Sequence, residues 1–171
     1  MQTNWCVISG PPSSGKTSII NRLHQEGFAT VPDPAREIAK KKPSIKKESR
    51  EFQKQVWNLS LKNHGNLNRK KLVFFDYGLP DNIVFQELNS HSLNDCETSC
   101  WSYRYSYVFI LKPIHFSHDG FRDDHASLQT RIEDRILTKY KYFDYCPIIL
   151  SSDKSLIERL SIIKKTCGIS I

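Results

Sequence analysis

The sequence lacks any apolar run approaching the ~20 residues of a membrane-spanning helix. It also lacks internal repeats and low-complexity tracts. What remains is a chain of 171 residues with 39 % hydrophobic content, which fits a single globular domain with a substantial core. We therefore expect one domain over residues 1–171 and a soluble, cytoplasmic protein.

Cysteine occurs only five times, and an odd number of thiols cannot all pair in disulfides. Cys96 and Cys100 are separated by three residues and have His91 and Asp95 nearby, but the sequence has no second pair of cysteines. A zinc site is therefore the weaker interpretation. The sequence favours a surface loop over residues 89–102 that carries two free thiols.

Positive charge is in excess, with a net charge of +7. Part of the excess lies in the runs Lys40–Lys42, Lys46–Lys47 and Arg69–Lys71. Such runs are most often solvated surface, and they also favour anionic ligands near a cleft. Nucleic acid and an anionic membrane stay open as partners, although no RRM, KH or helix-turn-helix motif and no amphipathic anchor supports either.

The most informative motif is Gly-Pro-Pro-Ser-Ser-Gly-Lys-Thr at Gly10–Thr17, a complete G-x-x-x-x-G-K-[ST] phosphate loop. It follows the apolar run Trp5–Ile8 and precedes a helical pattern, and this strand–loop–helix order makes the loop's N–H groups converge on a phosphate. Lys16 can then reach the β and γ phosphates of ATP or GTP, and the Thr17 hydroxyl can bind Mg²⁺. The predicted nucleotide-binding residues are Gly10, Ser13, Ser14, Gly15, Lys16, Thr17 and Ser18.

Short apolar runs alternate with helical patterns along the chain, which predicts a parallel α/β sheet. The expected fold is a single-domain, three-layer P-loop NTPase fold, with five parallel strands flanked by helices and a short lid. The predicted strands are Trp5–Ile8, Phe28–Val31, Leu72–Phe75, Tyr107–Leu111 and Pro147–Leu150. The first predicted helix follows the loop, and three others span residues 34–42, 48–64 and 127–140. A further helix begins at Pro80, and the last one closes the chain.

Two carboxylates follow predicted strands at the edge of the sheet where ligands bind. Asp76 ends the strand Leu72–Phe75, and we expect it to hold Mg²⁺ opposite the Thr17 hydroxyl. Asp33 and Arg36 follow the second strand, where they could orient an acceptor and bind its anionic group. Asp33 precedes Pro-Ala-Arg-Glu, however, so an ordinary helix N-cap stays open as the alternative.

Residues 112–126 separate the fourth strand from the next helix and are predicted to form the lid. Arg122 in this segment could close over the transferred phosphate, because phosphoryl transfer needs cations and exclusion of water. Arg131 and Arg135 are four residues apart on one helix face and could also point to the cleft. Their alternative role is in exposed ion pairs on a surface helix.

Four segments together resemble the NadR/Ttd14-type AAA domain family of P-loop proteins, which is related to ribosylnicotinamide kinases and other small-molecule kinases. They are the loop from Ile8 to Thr17, Val31–Ile38 with Pro-Asp-Pro-Ala-Arg-Glu, Phe75–Asp81 with Asp-Tyr-Gly-Leu-Pro-Asp, and Asp119–Asp123. The family commonly has Glu where Asp33 stands and Arg where Tyr77 stands. The resemblance implies nucleotide binding, with kinase activity in some members and guanine-nucleotide regulation in others.

The first functional hypothesis is an ATP-dependent, Mg²⁺-requiring phosphotransferase acting on a small hydroxyl or phosphate acceptor. Its catalytic residues would be Lys16, Asp76, Arg122 and Asp33, with Asp33, Arg36, Arg131 and Arg135 facing the acceptor. The alternative is a nucleotide-dependent switch or slow NTPase that acts on a protein or lipid partner. The sequence has no Asn-Lys-x-Asp motif for guanine, but Ser151–Lys154 follows the fifth strand and could contact a base, so ATP and GTP both stay open.

Overall fold

The structure, a computed structural model, describes residues 2–91, 96–113 and 123–170, with only the backbone described at 123–126. Five parallel strands form one sheet in the order β2-β3-β1-β4-β5. Their bounds are β1 (Trp5–Ser9), β2 (Ala29–Val31), β3 (Val73–Asp76), β4 (Tyr107–Leu111) and β5 (Ile148–Leu150). Because β1 lies between β3 and β4, the loop after β1 opens into the crevice where connections diverge to opposite sides of the sheet.

The described residues form seven helices. They are α1 (Lys16–Gln25), α2 (Pro34–Lys41), α3 (Arg50–Gly65), α4 (Leu79–Leu88), α5 (Cys96–Ser102), α6 (Asp123–Tyr142) and α7 (Leu156–Thr166). None of them is long and apolar enough to cross a bilayer.

The helices cover the sheet on both faces, as the alternation of side chains along β1 requires. Trp5 and Val7 point into a core with α3, α4, α5 and α6, while Cys6 and Ile8 point into a second core with α1 and α7. All four side chains are fully buried. The predicted single-domain, three-layer α/β fold is confirmed.

The prediction of a surface loop over residues 89–102 is wrong for residues 96–102, whereas residues 92–95 lie outside the described residues. Residues Cys96–Ser102 form α5, and Cys96 and Cys100 are buried in the core with α4 and α6. The two cysteines stand four residues apart, so they form the apolar stripe of a short helix. The prediction failed because it treated cysteine as a thiol and not as a small apolar side chain. Asp95 lies outside the described residues.

A buried hydrogen-bond chain fixes the start of α4, directly after the end of β3. His64 Nδ1 lies 2.7 Å from the Ser60 carbonyl oxygen, which can only accept, so Nδ1 carries the proton. His64 Nε2 therefore accepts from the Tyr105 hydroxyl at 2.7 Å, and that hydroxyl accepts from the Leu79 N–H at 2.9 Å. Burial lowers the pKa of His64 to about 4.

The lowered pKa of His64 predicts a fold that loses stability in acid. The pKa of His64 is lower in the folded state than its ordinary 6.5, so its contribution to stability is complete above pH 6.5 and is lost as the pH falls toward 4. We expect the difference in unfolding free energy between wild type and His64→Gln to shrink by about 3 kcal/mol between about pH 7 and pH 4. Urea denaturation at several pH values measures it, with the exposed His24→Gln as control. A difference that does not change with pH would contradict this account.

Candidate functional site

The loop between β1 and α1 has the backbone conformation of a phosphate cradle. Ser13 and Gly15 are left-handed, with φ of 62° and 89°. Gly10 has φ of 136°, and a Cβ at this position would overlap the Leu111 carbonyl oxygen. Within the described part of the chain, no side chain caps the N-terminus of α1, and its first turn holds no acidic residue. The first amides of α1 and the positive end of its dipole therefore face the loop.

Lys16 lies back against this loop and is almost fully buried. Its Nζ donates to the Pro11 carbonyl oxygen at 2.7 Å and to Ser14 Oγ at 3.2 Å, and it lies 4.7 Å from the centre of the Tyr77 ring. Burial lowers the pKa of Lys16 to about 8, although the Asp76 carboxylate opposes the shift. The ammonium group is thus held by neutral acceptors beside the loop amides.

Asp76 lies beside the loop because β3 pairs with β1 in a register that sets Asp76 opposite Ile8. Its Oδ2 accepts from Thr17 Oγ1 at 3.1 Å, whereas its Oδ1 is buried with no hydrogen-bond partner among the described residues. Burial raises the pKa of Asp76 to about 6, and the nearby Asp33 carboxylate adds to the shift. An orphaned carboxylate oxygen next to a hydroxyl is the hard oxygen donor set that Mg²⁺ prefers, so the residues fit this ion.

Asp33 begins α2 and faces the same space. Its Oδ1 accepts from the Ala35 N–H at 2.8 Å, and its Oδ2 lies 3.6 Å from Arg36 Nε. Asp33 is therefore the N-cap of α2, which is one of the two roles that the sequence leaves open for it. Burial raises the pKa of Asp33, against the opposing effect of the Ala35 hydrogen bond. The carboxylate is close enough to Lys16 and Asp76 to influence the pKa of both.

One cavity of about 640 Å³ joins these groups. The phosphate loop forms one wall, α2 and the start of α3 form another, and the end of β3 lies between them. The described lining residues are Pro12, Ser13, Gly15, Lys16, Thr17, Ser18, Asp33, Ala35, Arg36, Ala39, Lys47, Phe52, Asp76 and Tyr77.

A second cavity of about 290 Å³ continues from the first past Asp33 and Tyr77. Its further wall combines apolar and amide side chains from α3 and α4. These residues are Gln53, Val56, Asn82 and Phe85, followed by Asn89 after α4.

Some predicted site residues lie apart from the cavity. Ser14, a residue of the loop, is fully buried and does not line the cavity. Arg131 and Arg135 on α6 are also not among the described residues that line it. The start of α6 still contacts the loop, because Gln129 Nε2 donates to the Pro12 carbonyl oxygen at 3.3 Å. Arg122 and residues 114–122 of the predicted lid lie outside the described residues, so the lid stays a prediction.

Sequence reasoning missed two residues that shape this site. Tyr77 has φ of 71°, rare for a non-glycine residue, and its hydroxyl donates to the Gly10 carbonyl oxygen at 3.1 Å while its ring covers Lys16. Asp81 is fully buried and accepts from Ser9 Oγ, the Gly78 N–H and the Tyr140 hydroxyl at 2.5, 2.7 and 2.6 Å. Its position three residues after Gly78 indicates a helix cap, but nothing local indicates its burial.

Close packing at Gly78 gives a stability prediction. A Cβ there would lie 2.6 Å from the Tyr140 hydroxyl and 3.0 Å from Val7 Cγ2, so alanine would push Tyr140 away from Asp81. We expect Gly78→Ala to lower the unfolding free energy by about 1–3 kcal/mol. At Gly65, which ends α3, the Tyr103 hydroxyl is the only neighbour of such a Cβ among the described residues, at 3.9 Å. Gly65→Ala should therefore raise stability, by up to about 1 kcal/mol. Thermal denaturation of both variants tests the contrast, and equal effects would refute it.

A parallel five-stranded sheet with this loop after its central strand defines the P-loop NTPase fold. A family model described as an AAA domain matches residues 5–159. The chain belongs to this family, which confirms the resemblance found in its motifs. No curated protein matches the sequence at a significant level.

Several solved structures share the fold. A crystal structure of NadR in complex with NR superposes with a TM-score of 0.76 at 16 % identity, over 99 % of this chain and 53 % of NadR. A deoxyadenosine kinase from M. mycoides with bound dATP gives a TM-score of 0.60 at 14 % identity, over 96 % of this chain and 98 % of that one. Shikimate kinase from Aquifex aeolicus gives a TM-score of 0.53 at 12 % identity, over 96 % of each chain. This chain spans about half the length of NadR.

Proposed function

We propose that this protein is an ATP-dependent, Mg²⁺-requiring phosphotransferase that acts on a small hydroxyl or phosphate acceptor, with GTP as the alternative donor. One observation carries the proposal: the phosphate loop and the Asp33–Arg36 pair line the same cavity. A donor phosphate on the loop and an acceptor beside α2 would therefore meet without a large rearrangement, which is the positioning that phosphoryl transfer requires.

The donor side of the cavity holds the residues for a triphosphate. The N–H groups of Gly15, Lys16 and Thr17 and the Lys16 ammonium would bind the β and γ phosphates. Thr17 Oγ1 and the Asp76 carboxylate would hold Mg²⁺, which when bound would neutralise charge on the phosphates.

On the acceptor side, the Asp33 carboxylate would orient an acceptor hydroxyl and take its proton. The hydroxyl oxygen would then form a bond to the γ phosphorus as the bond from that phosphorus to the bridging oxygen breaks and ADP leaves. The raised pKa of Asp33 suits a group that exchanges a proton. The second cavity, of about 290 Å³, with Phe52, Val56 and Phe85 beside amide groups, has the size and mixed lining of a small-molecule site.

The structural neighbours support this class of reaction. They include a deoxyadenosine kinase and a shikimate kinase, whose acceptors are small molecules by name. A further NadR structure holds NAD and AMP-PNP.

Incubation of the purified protein with γ-labelled ATP, Mg²⁺ and a panel of nucleosides, nucleotides and vitamin precursors tests the proposal. We expect label on at least one acceptor and none when Mg²⁺ is chelated. If ATP binds and no acceptor is labelled, the phosphotransferase proposal fails, and the nucleotide-dependent switch takes its place. Partner capture that changes with bound nucleotide would then be the next measurement.

A further inference from the structure

The side chain of Arg159 is fully buried and is not among the described residues that line the cavity beside the phosphate loop. One guanidinium nitrogen donates to the Ser14 carbonyl oxygen at 2.9 Å and to the Lys112 carbonyl oxygen at 3.0 Å. The other donates to the Ser151 carbonyl oxygen at 2.8 Å. One side chain of α7 thus joins the phosphate loop, the end of β4 and the segment after β5.

The bond to Ser14 bears on the orientation of the loop. All described peptide bonds are trans, so the carbonyl of Ser14 and the N–H of Gly15 point in opposite directions from one peptide plane. Because Arg159 holds the Ser14 oxygen on the buried side, the Gly15 N–H is turned toward the cavity that Gly15 lines. That N–H belongs to the group of amides that would bind a phosphate.

The charge of Arg159 also favours an anion bound at the loop. Its hydrogen-bond partners among the described residues are carbonyl oxygens, and burial lowers the pKa of Arg159 while the exposed Asp153 carboxylate opposes the shift without forming an ion pair with it. Its Nε is buried with no hydrogen-bond partner among these residues. A buried cation is costly unless an anion compensates it, and a phosphate bound on the cavity side of the loop would add to the partial compensation from the exposed Asp153.

We propose that Arg159 is a positioning residue for nucleotide binding, acting through the Ser14 peptide and tying the phosphate loop to the Ser151 segment. This inference rests on the proposed function only in that the loop binds phosphates, and it does not require phosphoryl transfer. Its consequence is that Arg159 should support binding of a polyphosphate that carries no base.

Calorimetric titration of wild type, Arg159→Lys and Ile163→Ala with ATP and with tripolyphosphate tests the proposal. Lysine keeps the charge, but its single nitrogen cannot replace the planar fork of two nitrogens that reaches all three carbonyl oxygens, so we expect the Kd of Arg159→Lys for both ligands to rise about tenfold or more. Ile163 is fully buried on the same helix and contacts the core of α1 and α7, so its alanine variant controls for lost stability. The Ile163→Ala variant should have a lower melting temperature than wild type and keep the wild-type Kd for both ligands. An Arg159→Lys protein that binds both ligands as wild type does would overturn the proposal.

Hydrogen–deuterium exchange on unmodified protein provides a second test that needs no variant to fold. Tripolyphosphate should slow exchange in the peptide that contains the phosphate loop and also in the one that spans Ser151 to Arg159, although it has no base to contact the latter. Protection confined to the phosphate loop would refute the coupling. A wild-type protein that binds ATP but labels no acceptor would remove the proposed function and leave this inference standing.

Discussion

Asp33→Asn is expected to lower kcat for phosphoryl transfer by about 10²–10⁴ while the affinity for ATP stays unchanged. Asparagine cannot take a proton from an acceptor hydroxyl, but its amide oxygen can still accept from the Ala35 N–H, since asparagine caps helices as well as aspartate does. The lost ion pair with Arg36 should matter little, because the Arg36 side chain is largely exposed. The melting temperature should therefore stay close to that of wild type.

Initial rates at saturating ATP, with the best acceptor from the panel, measure this effect. Glu37→Gln is the matched control, because it removes a carboxylate from the same helix at a position paired with Lys41. It should keep the wild-type kcat. An Asp33→Asn enzyme with wild-type kcat would show that Asp33 serves only as the cap of α2.

Lys16→Met is expected to raise the Kd for ATP by about 100-fold. Methionine keeps most of the apolar stem that packs beside the Tyr77 ring but has no charge to offer a phosphate. Since the wild-type ammonium is bonded only to the Pro11 carbonyl and the Ser14 hydroxyl, its removal breaks no buried ion pair within the described residues. The loss should appear in binding and not in folding.

Titration calorimetry with ATP measures this loss, and thermal denaturation without ligand checks the fold. Lys62→Met removes the same charge from an exposed position on α3 and should leave the Kd within about twofold of wild type, because exposed charges are screened. Equal losses in the two variants would mean that net charge, and not the loop, attracts the nucleotide.

Local patterns were sufficient to predict the sheet. Strands such as Tyr107–Leu111 are short apolar runs bounded by polar residues, and the structure has this strand with the predicted bounds. The phosphate loop and the position of Asp76 beside it also follow from local order, because parallel strands end at one edge of the sheet. Local patterns could not separate the two roles of Asp33, since the same carboxylate caps α2 and lines the cavity.

Long-range contacts are what the sequence does not reveal. Arg159 is 145 residues from Ser14 along the chain, and it lies within a helical pattern whose other basic residues, Lys164 and Lys165, suggest only a solvated face. Asp81 meets Ser9 and Tyr140 from two other elements, so its burial depends on how α4 and α6 pack on the sheet. In each case the partners of a charged side chain are set by tertiary packing, which no local motif records.

The central claim is that the loop from Gly10 to Thr17 binds the phosphates of a nucleoside triphosphate. Calorimetric titration of the wild-type protein with ATP and with GTP, each with and without Mg²⁺, tests it most directly. We expect saturable binding of at least one of the two, tighter with Mg²⁺ and competed by tripolyphosphate. Absence of binding heat for both nucleotides under every condition, from a protein that melts cooperatively, would contradict the account.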